Sequence, residues 1–225
     1  MLLAVDDVLV VMARYPEPGR VKSRLAAEIG PEAAARLYAA FLEDLARRLG
    51  SAQPWGFVWA YDPPDAPFPD RIARGLAAFP QPDGDLGRRM AGSMERALRD
   101  GAASVVLIGS DVPHLPPRRI TSAFDRLTAG TDVVLGPAED GGYYLIGSRR
   151  PVPLFDDVSW GTSKVLAETL ERARRGRIEV ALLESDFDVD SQADVERLAR
   201  APVLAELSMT ARVLSAMKIA SPGGS

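Results

Sequence analysis

Runs of apolar residues alternate with segments of helical periodicity along the chain. The runs 7–12 and 104–110 are apolar at successive positions, which is typical of a central parallel strand covered on both faces. Five further runs have strand-like composition, at residues 54–61, 76–81, 131–138, 142–148 and 177–184. The pattern therefore predicts seven strands.

Helical patterns separate most of these runs. The strongest covers residues 31–50, with Pro31 in its first turn and an apolar stripe along one side. A short helix is expected to begin near Arg20 or Val21. The other predicted helices cover residues 87–101, 116–130, 162–176, 191–200 and 202–218. Strand–helix alternation with short links predicts one three-layer α/β/α domain with a mostly parallel central sheet. We expect this domain at residues 1–218 and a disordered tail at 219–225.

Parallel sheets bind ligands outside the carboxyl ends of their strands. In this chain that rule selects the loops at residues 13–24, 82–87, 110–114 and 136–142. We therefore expect the residues of a ligand-binding or catalytic site in these loops.

Composition narrows the classes of function. The chain has 225 residues, 47% of them hydrophobic and 26% charged, and a formal net charge of −4. This balance predicts a globular protein without a general attraction for nucleic acid or for a membrane surface. The chain contains no cysteine, which excludes disulfides, thiolate metal sites and a cysteine nucleophile. We see no signal peptide and no run of about 18 apolar residues, so a cytoplasmic location is expected.

The loop after the first predicted strand combines turn-forming residues with cations. Pro16, Pro18 and Gly19 can turn the backbone so that N–H groups converge, and four basic residues lie in the same stretch. An adjoining helix start would add a positive end, which favours phosphate binding. An ordinary strand–helix loop with solvated cations is the competing interpretation. The basic residues are Arg14, Arg20, Lys22 and Arg24.

Carboxylates follow two later strands. Asp111 comes directly after the run 104–110, where it could hold Mg²⁺ together with phosphate oxygens, or could only close a turn before Pro113. Asp186, Asp188 and Asp190 alternate, and so they share a face if the segment is extended. Ser191 and Asp194 have the spacing of a capping box, so helix capping accounts for Asp190 and leaves Asp188 without an assigned partner.

Other polar or aromatic positions are less specific. Asp140, Gly141 and Gly142 could shape a ligand site or simply turn a hairpin. His114 is the only histidine in the sequence, and we expect it at the surface or in a turn. Trp160, between acidic residues and a predicted helix start, is a candidate for a pocket wall. The tryptophans Trp55 and Trp59 are expected in the core.

Several of these stretches together resemble a known bacterial family. They are P-E-P-G at 16–19, G-D-L-G-R-R-M at 84–90, G-S-D-V-P at 109–113, V-V-L-G-P-A-E-D-G-G-Y-Y-L-I-G at 133–147, F-D-D-V-S-W at 155–160 and D-V-D-S at 188–191. The chain resembles the glycosyltransferase-A-like nucleotide-diphospho-sugar transferases. The molybdenum-cofactor nucleotidyltransferases and phospholactate guanylyltransferase are related to that family. The resemblance covers roughly residues 7–200.

This resemblance implies a Rossmann-like nucleotide-diphospho-sugar transferase fold and a site for nucleotide and metal. It places the nucleotide phosphates at Arg14, Gly19, Lys22 and Arg24. It places Mg²⁺ or Mn²⁺ at Asp111. A second metal ligand maps to Asp188, and Asp190 stays open as the alternative.

The predicted function is metal-dependent nucleotidyl or glycosyl transfer from a nucleoside triphosphate or nucleotide sugar to a small-molecule acceptor. Lys22, Arg24 and Asp111 are the expected catalytic residues. Glycosyltransferases usually have a D-x-D motif at the central strand, whereas the D-x-D of this chain lies far beyond it, at 188–190. This position slightly favours nucleotidyl over glycosyl transfer. The competing hypotheses are a non-catalytic nucleotide-binding or regulatory module and a carbohydrate-binding or structural domain.

A homodimer through the closing helix 202–218 is left open. Further expected contacts are Leu86, Gly87 and Ser110 for the nucleotide, and Asp140, Gly141, Gly142 and Trp160 for the other substrate.

Overall fold

The computed structural model describes residues 6–217, so the tail expected at 219–225 lies outside the described part of the chain. The described residues form one seven-stranded sheet with the order β3-β2-β1-β4-β6-β5-β7. Every pairing is parallel except those made by β6, which runs antiparallel to both of its neighbours. The strands are β1 (Asp7–Arg14), β2 (Gly56–Asp62), β3 (Ala77–Pro80), β4 (Ser104–Gly109), β5 (Val133–Pro137), β6 (Tyr143–Ser148) and β7 (Val180–Leu182).

Helices cover both faces of this sheet. A π-helical turn at Pro69–Ala73 and a 3-10 helix at Pro202–Glu206 complete the regular elements of residues 6–217. The α-helices are α1 (Ser23–Ile29), α2 (Pro31–Leu49), α3 (Leu86–Arg99), α4 (Pro117–Thr128), α5 (Val165–Gly176), α6 (Gln192–Arg200) and α7 (Ser208–Ala216). The predicted three-layer α/β/α architecture with a mostly parallel sheet is confirmed.

The strand β1 shows why its apolar run is continuous. Leu9 and Val11 belong to the core that α1, α2, α4, α6 and α7 help to build, whereas Val8 and Val10 belong to the core beneath α3 and α5. Successive side chains of a strand point to opposite faces, so burial on both faces requires an apolar residue at every position. Trp55 and Trp59 are buried in the first of these cores, as predicted.

Three element boundaries differ from the prediction. The first helix begins at Ser23, because Lys22 is in the left-handed conformation with φ 50°. The predicted closing helix 202–218 is divided at Leu207, and buried Asp44 accepts hydrogen bonds from the backbone N–H groups of Met209 and Thr210 at the start of α7. The last strand is short, since β7 pairs with β5 only over Val180–Leu182.

The sheet brings several loops to one edge. β1 is paired in parallel with β2 on one side and β4 on the other, so the loops that follow these three strands leave from the same edge. The turn between β5 and β6 and the segment after β7 reach this edge as well. Within residues 6–217, no helix is both long and apolar enough to cross a bilayer.

Candidate functional site

A cavity of about 670 Å³ lies at the carboxyl edge of the sheet. Its size is within the usual range for small-molecule sites. The segments that contribute to it follow β1, β3, β4 and β7, or form the start of β6. The charged and polar lining residues are Arg14, Lys22, Ser23, Arg24, Tyr38, Gln81, Asp85, Arg89, Ser110, Asp111, Tyr143, Tyr144, Asp188 and Asp190.

Lys22 joins the loop after β1 to two acidic segments. Its Nζ forms an ion pair with Asp111 Oδ1 and another, at 3.0 Å, with Asp190 Oδ1. It also donates a hydrogen bond to the carbonyl oxygen of Val189 at 2.7 Å. The predicted convergence of the first loop with Asp111 is therefore present in the structure.

The cavity shifts the pKa values of several ionisable groups, among them Lys22 and Asp188. Burial alone would lower the pKa of Lys22, but the charges of Asp111 and Asp190 and their hydrogen bonds raise it above its usual value. The ammonium group therefore stays protonated. Burial raises the pKa of Asp188 to about 7, and the charges of Asp111, Asp140 and Asp190 add to this effect. Such mutual repulsion shows that several carboxylates are crowded around Asp188.

This crowding suits a divalent cation. A hard cation next to Asp111 and Asp188 would offset the repulsion that raises the pKa of Asp188. Within residues 6–217, no three or more histidine, aspartate or glutamate side chains are grouped so that they could hold a metal ion by themselves. Mg²⁺ commonly takes only one or two carboxylates and completes its coordination with water and substrate phosphate. The donor set thus fits an ion that is bound together with a phosphorylated substrate.

Asp190 differs from its predicted role. The helix cap of α6 is Ser191, which forms the predicted capping box with Asp194, and the Asp190 side chain takes no part in it. Asp190 instead accepts a hydrogen bond from Arg24 at 3.3 Å in addition to its ion pair with Lys22. The capping interpretation of Asp190 is therefore wrong, because its carboxylate is turned toward the cations of the first loop. The Arg24 side chain remains 74% exposed.

A hydrogen-bonded chain fixes the floor of the cavity between β1 and β4. The Tyr38 hydroxyl lies 2.7 Å from Ser110 Oγ and accepts a hydrogen bond from the backbone N–H of Arg14 at 3.0 Å. Burial and the charge of Asp111 raise the pKa of Tyr38 to about 12. The hydroxyl therefore stays protonated and links the ends of the two strands. Ser110 lines the cavity as predicted, but its hydroxyl is used within the protein.

The opposite end of the cavity carries two arginines that share one carboxylate. Asp62 Oδ2 lies 3.7 Å from Arg14 Nε and 3.1 Å from Arg89 Nη1. Beside them, Gln81 Nε2 donates to the carbonyl oxygens of Ala60 at 2.9 Å and Ala13 at 3.2 Å. Both bonds use the amide nitrogen, which leaves the Gln81 side-chain oxygen as the group available to a ligand. Leu86, 47% exposed, lines the same end.

The residues predicted for the second substrate lie behind or beside the cavity wall. Gly141 has φ +92°, and a Cβ there would collide with the backbone of Ser163. Asp140 Oδ1 accepts a hydrogen bond from the N–H of Gly142 at 2.9 Å, which closes the turn between β5 and β6. Trp160 packs edge-on against Tyr143 with ring centroids 6.3 Å apart. None of the four predicted residues lines the cavity, whereas Tyr143, the neighbour of Trp160, does. Asp140 acts on the site only through its charge near Asp188.

Two predicted nucleotide contacts also lie outside the lining. Gly19 has φ +78° and is exposed in the loop after β1. Gly87 is buried in α3, where a Cβ would lie 2.6 Å from both the Phe155 carbonyl oxygen and Trp160 Nε1. Gly87 therefore permits close packing of α3 against the segment that carries Trp160.

His114 lies in a turn, which is one of the two predicted placements, but it is not at the surface. It is buried, its Nε2 lies 2.9 Å from Asp186 Oδ1, and its ring stacks on Phe187 with centroids 4.2 Å apart. The surface placement was wrong because the partners of His114 are about seventy residues away in sequence. Asp186 is thereby directed away from the cavity, so the three alternating acids do not act as one group.

Sequence reasoning missed several polar lining residues, among them Tyr38, Gln81 and Arg89. Tyr38 belongs to the apolar stripe of α2, where an aromatic residue indicates packing rather than a site. Gln81 and Arg89 flank the predicted loop 82–87 and could have been suspected because polar residues at the end of a parallel strand often face ligands. Asp190 was assigned to the helix cap.

Comparisons with known proteins agree with this geometry. A phosphoenolpyruvate guanylyltransferase of Sphaerobacter thermophilus is 25% identical over 185 residues, which cover 81% of this chain and 88% of that protein. A candidate nucleotide-diphospho-sugar transferase of Desulfovibrio desulfuricans G20 has a solved structure with TM-score 0.81 and 33% identity, covering 95% of this chain and 98% of the other. The manganese complex of Rv0371c from Mycobacterium tuberculosis has TM-score 0.50 and 19% identity, covering 86% and 98% of the two chains.

The likeness to the Desulfovibrio protein, over nearly the whole of both chains, confirms the nucleotide-diphospho-sugar transferase fold. A family model matches residues 43–162, more than half of the sequence. The chain therefore belongs to the family described as "Uncharacterized protein conserved in bacteria (DUF2064)".

Proposed function

We propose that this protein is a metal-dependent nucleotidyltransferase that uses a nucleoside triphosphate and a small-molecule acceptor. The observation that carries the proposal is the convergence of Lys22, Asp111, Asp188 and Asp190 at one end of a cavity of about 670 Å³. The guanylyltransferase name of the Sphaerobacter relative supports nucleotidyl transfer over glycosyl transfer and favours GTP as the donor.

Asp111 and Asp188 would hold Mg²⁺ or Mn²⁺, in keeping with the manganese bound to the mycobacterial protein. When bound, the ion would neutralise phosphate charge and stabilise the leaving pyrophosphate. Arg24 is the exposed cation at this end, and its guanidinium can donate to phosphate oxygens beside its single hydrogen bond to Asp190. The Tyr38–Ser110 pair keeps the end of β4, and with it Asp111, in register with β1.

The arginine end of the cavity would hold the nucleoside. Gln81 can accept a hydrogen bond from an N–H group of a base, and Leu86 offers an apolar contact to its face. In the reaction, an oxygen of the acceptor attacks the α-phosphorus of the nucleotide, the α–β phosphate bond breaks, and pyrophosphate leaves.

The acceptor we favour is a phosphorylated organic acid, which follows the name of the Sphaerobacter relative. The residues that line the cavity include no histidine, and His114 is engaged with Asp186 elsewhere. An acceptor that is already ionised at neutral pH needs no general base, so the chemistry of the lining agrees with this choice.

Calorimetric titration with GTP, ATP, CTP and UTP, each with and without Mg²⁺, tests the proposal. We expect Mg²⁺-dependent binding of GTP, and pyrophosphate release when phosphoenolpyruvate or another phosphorylated acid is added. Release of a nucleoside diphosphate from a nucleotide sugar would instead identify a glycosyltransferase. Tight nucleotide binding without turnover of any acceptor would favour a regulatory module.

A further inference from the structure

The ammonium group of Lys22 has no free hydrogen-bond donor. A lysine ammonium carries three N–H donors. Three acceptors surround Lys22 Nζ: Asp111 Oδ1, Asp190 Oδ1 at 3.0 Å and the carbonyl oxygen of Val189 at 2.7 Å. A phosphate oxygen could be bound by Lys22 only if one of these contacts were given up.

The surroundings of Lys22 confirm that it belongs to the interior. Its side chain is 3% exposed, whereas that of Arg24, two residues further on, is 74% exposed. The rings of Tyr38 and Phe41 each have their centroid 5.8 Å from Lys22 Nζ. Lys22 also has the left-handed backbone conformation, φ 50°, which is uncommon for a residue with a side chain. Its several long-range contacts can maintain such a conformation.

Lys22 and a divalent ion would need the same carboxylate. Asp111 is the residue at the end of β4 to which Lys22 is paired, and it is also the first proposed ligand of the metal. Two cations beside one carboxylate repel each other, and this repulsion is strong where the surroundings exclude water. Any divalent ion that binds Asp111 must therefore weaken the ion pair between Lys22 and Asp111.

We propose that Lys22 is the resident cation of the carboxylate group formed by Asp111, Asp188 and Asp190, and that it competes with the divalent ion for Asp111. Lys22 is then a positioning residue, which holds the ends of β1, β4 and the segment before α6 together in the metal-free protein. The exposed Arg24, and not Lys22, is the cation of this loop that meets phosphate. This inference rests on the metal site of the proposed function.

Titration of Mn²⁺ alone, without nucleotide, tests the competition. The variants are Lys22→Met, which removes the charge, and Lys164→Met as a matched control, since Lys164 is exposed and is not a lining residue of the cavity. We expect Mn²⁺ to bind Lys22→Met at least about tenfold more tightly than the wild type, because one repelling charge is gone. Lys164→Met should bind Mn²⁺ like the wild type. Unchanged or weaker Mn²⁺ binding by Lys22→Met would overturn the inference. A variant that binds Mn²⁺ alone like the wild type but binds Mn²⁺–GTP more weakly would overturn it as well, because Lys22 would then be a phosphate ligand.

Thermal unfolding gives a second readout. Lys22→Met leaves Asp111 and Asp190 without their cation, but these carboxylates are 43% and 31% exposed and water screens them, so the metal-free variant should melt roughly 2 to 8 °C below the wild type. Saturating Mn²⁺ should raise its melting temperature by more than it raises that of the wild type. If Lys22→Met does not fold, Lys22→Gln keeps a donor for the Val189 carbonyl while removing the charge, and the same two results are expected of it.

The two proposals can fail separately. If the Lys22 variants bind Mn²⁺ more tightly but no nucleotide binds any form of the protein, the inference stands and the proposed function falls. If the wild type transfers a nucleotide but the Lys22 variants show no gain in Mn²⁺ affinity, the proposed function stands and the inference falls.

Discussion

The two ends of the cavity carry similar charged groups but use them differently. At the carboxylate end, Lys22 is buried and is paired with Asp111 and Asp190. At the arginine end, Arg14 is 63% exposed and shares Asp62 with Arg89, at distances of 3.7 and 3.1 Å. Burial requires a charge to be paired within the protein, as for Lys22 and for the Arg89–Asp62 pair, whose side chains are 26% and 23% exposed. The exposed Arg14 gains little from its longer contact with Asp62 and can exchange it for a ligand.

This difference assigns a role to each end. The carboxylate end is fixed before any ligand arrives and should determine whether a metal and a polyphosphate bind. The arginine end presents the exposed Arg14 and the free oxygen of Gln81, and it should determine which nucleoside is accepted. Variants at the two ends should therefore have different effects. The predictions for rate and affinity run from the largest expected effect to the smallest, and a prediction for stability follows them.

The largest effect is expected from Asp111→Asn. Loss of one preorganised charged contact in such a site reduces the rate by on the order of 10²- to 10³-fold. The melting temperature should stay close to that of the wild type, because Asp111 is 43% exposed and Lys22 keeps Asp190 and Val189 as partners. Pyrophosphate release measures the rate, and Asp125→Asn, an exposed acid on α4, is the control. If Asp111→Asn keeps most of its activity, the carboxylate end does not hold the metal.

Arg24→Ala should weaken nucleotide binding next most strongly. A hydrogen bond to a charged group contributes about 2 kcal/mol, which corresponds to roughly a 30-fold loss of affinity for Mg²⁺–GTP. The loss should be similar for all four nucleoside triphosphates, because the contact is to phosphate. Calorimetry measures it. A larger loss with Arg14→Ala than with Arg24→Ala would mean that the arginine end binds the phosphates.

Gln81→Leu should change the choice of base rather than binding in general. The side-chain amide nitrogen of Gln81 donates hydrogen bonds to the carbonyl oxygens of Ala13 and Ala60, so the side-chain oxygen is the group that can distinguish bases. Loss of one hydrogen bond of this kind reduces affinity for the preferred base by about tenfold. Affinities for the other bases should change little. Competition titrations compare them, and an equal loss for every nucleotide would exclude Gln81 from base selection.

The last prediction concerns the free energy of unfolding of the metal-free protein rather than rate or affinity. The pKa of Asp188 is raised to about 7 in the folded state, so the stability that its protonated form contributes is present in full near pH 4 and is lost as the pH rises through 7. Asp188→Asn does not ionise and should therefore be more stable than the wild type at pH 8, on the order of 2 kcal/mol. Urea unfolding at pH 5 and pH 8 in EDTA measures this. A difference between the two proteins that does not grow with pH would contradict it.

Much of the fold follows from the sequence. The runs that form β1 and β4 are apolar at every position because helices cover both faces, and the parallel arrangement follows from the helices between strands. The boundaries that were wrong depend on distant partners. The break before α7 involves buried Asp44, about 165 residues earlier in the chain, and nothing local to residues 202–218 indicates it.

The candidate site was predictable as a set of loops but not as a set of contacts. The rule for carboxyl ends of strands correctly selects the loops of Arg24 and Asp111. It cannot show that Lys22 is buried against Asp190, because that pairing joins residues 168 apart. Likewise, the position of Asp190 before a helix suggested a cap, and only the fold shows that its carboxylate faces two cations.

The most direct test of the central claim is a crystal structure of the protein with GTP and Mn²⁺, in which anomalous scattering locates the manganese. We predict one strong peak between the carboxylates of Asp111 and Asp188, in contact with phosphate oxygens, and the base beside Gln81. A peak beside Asp62 at the arginine end, or a nucleotide bound with its phosphates there, would contradict the account.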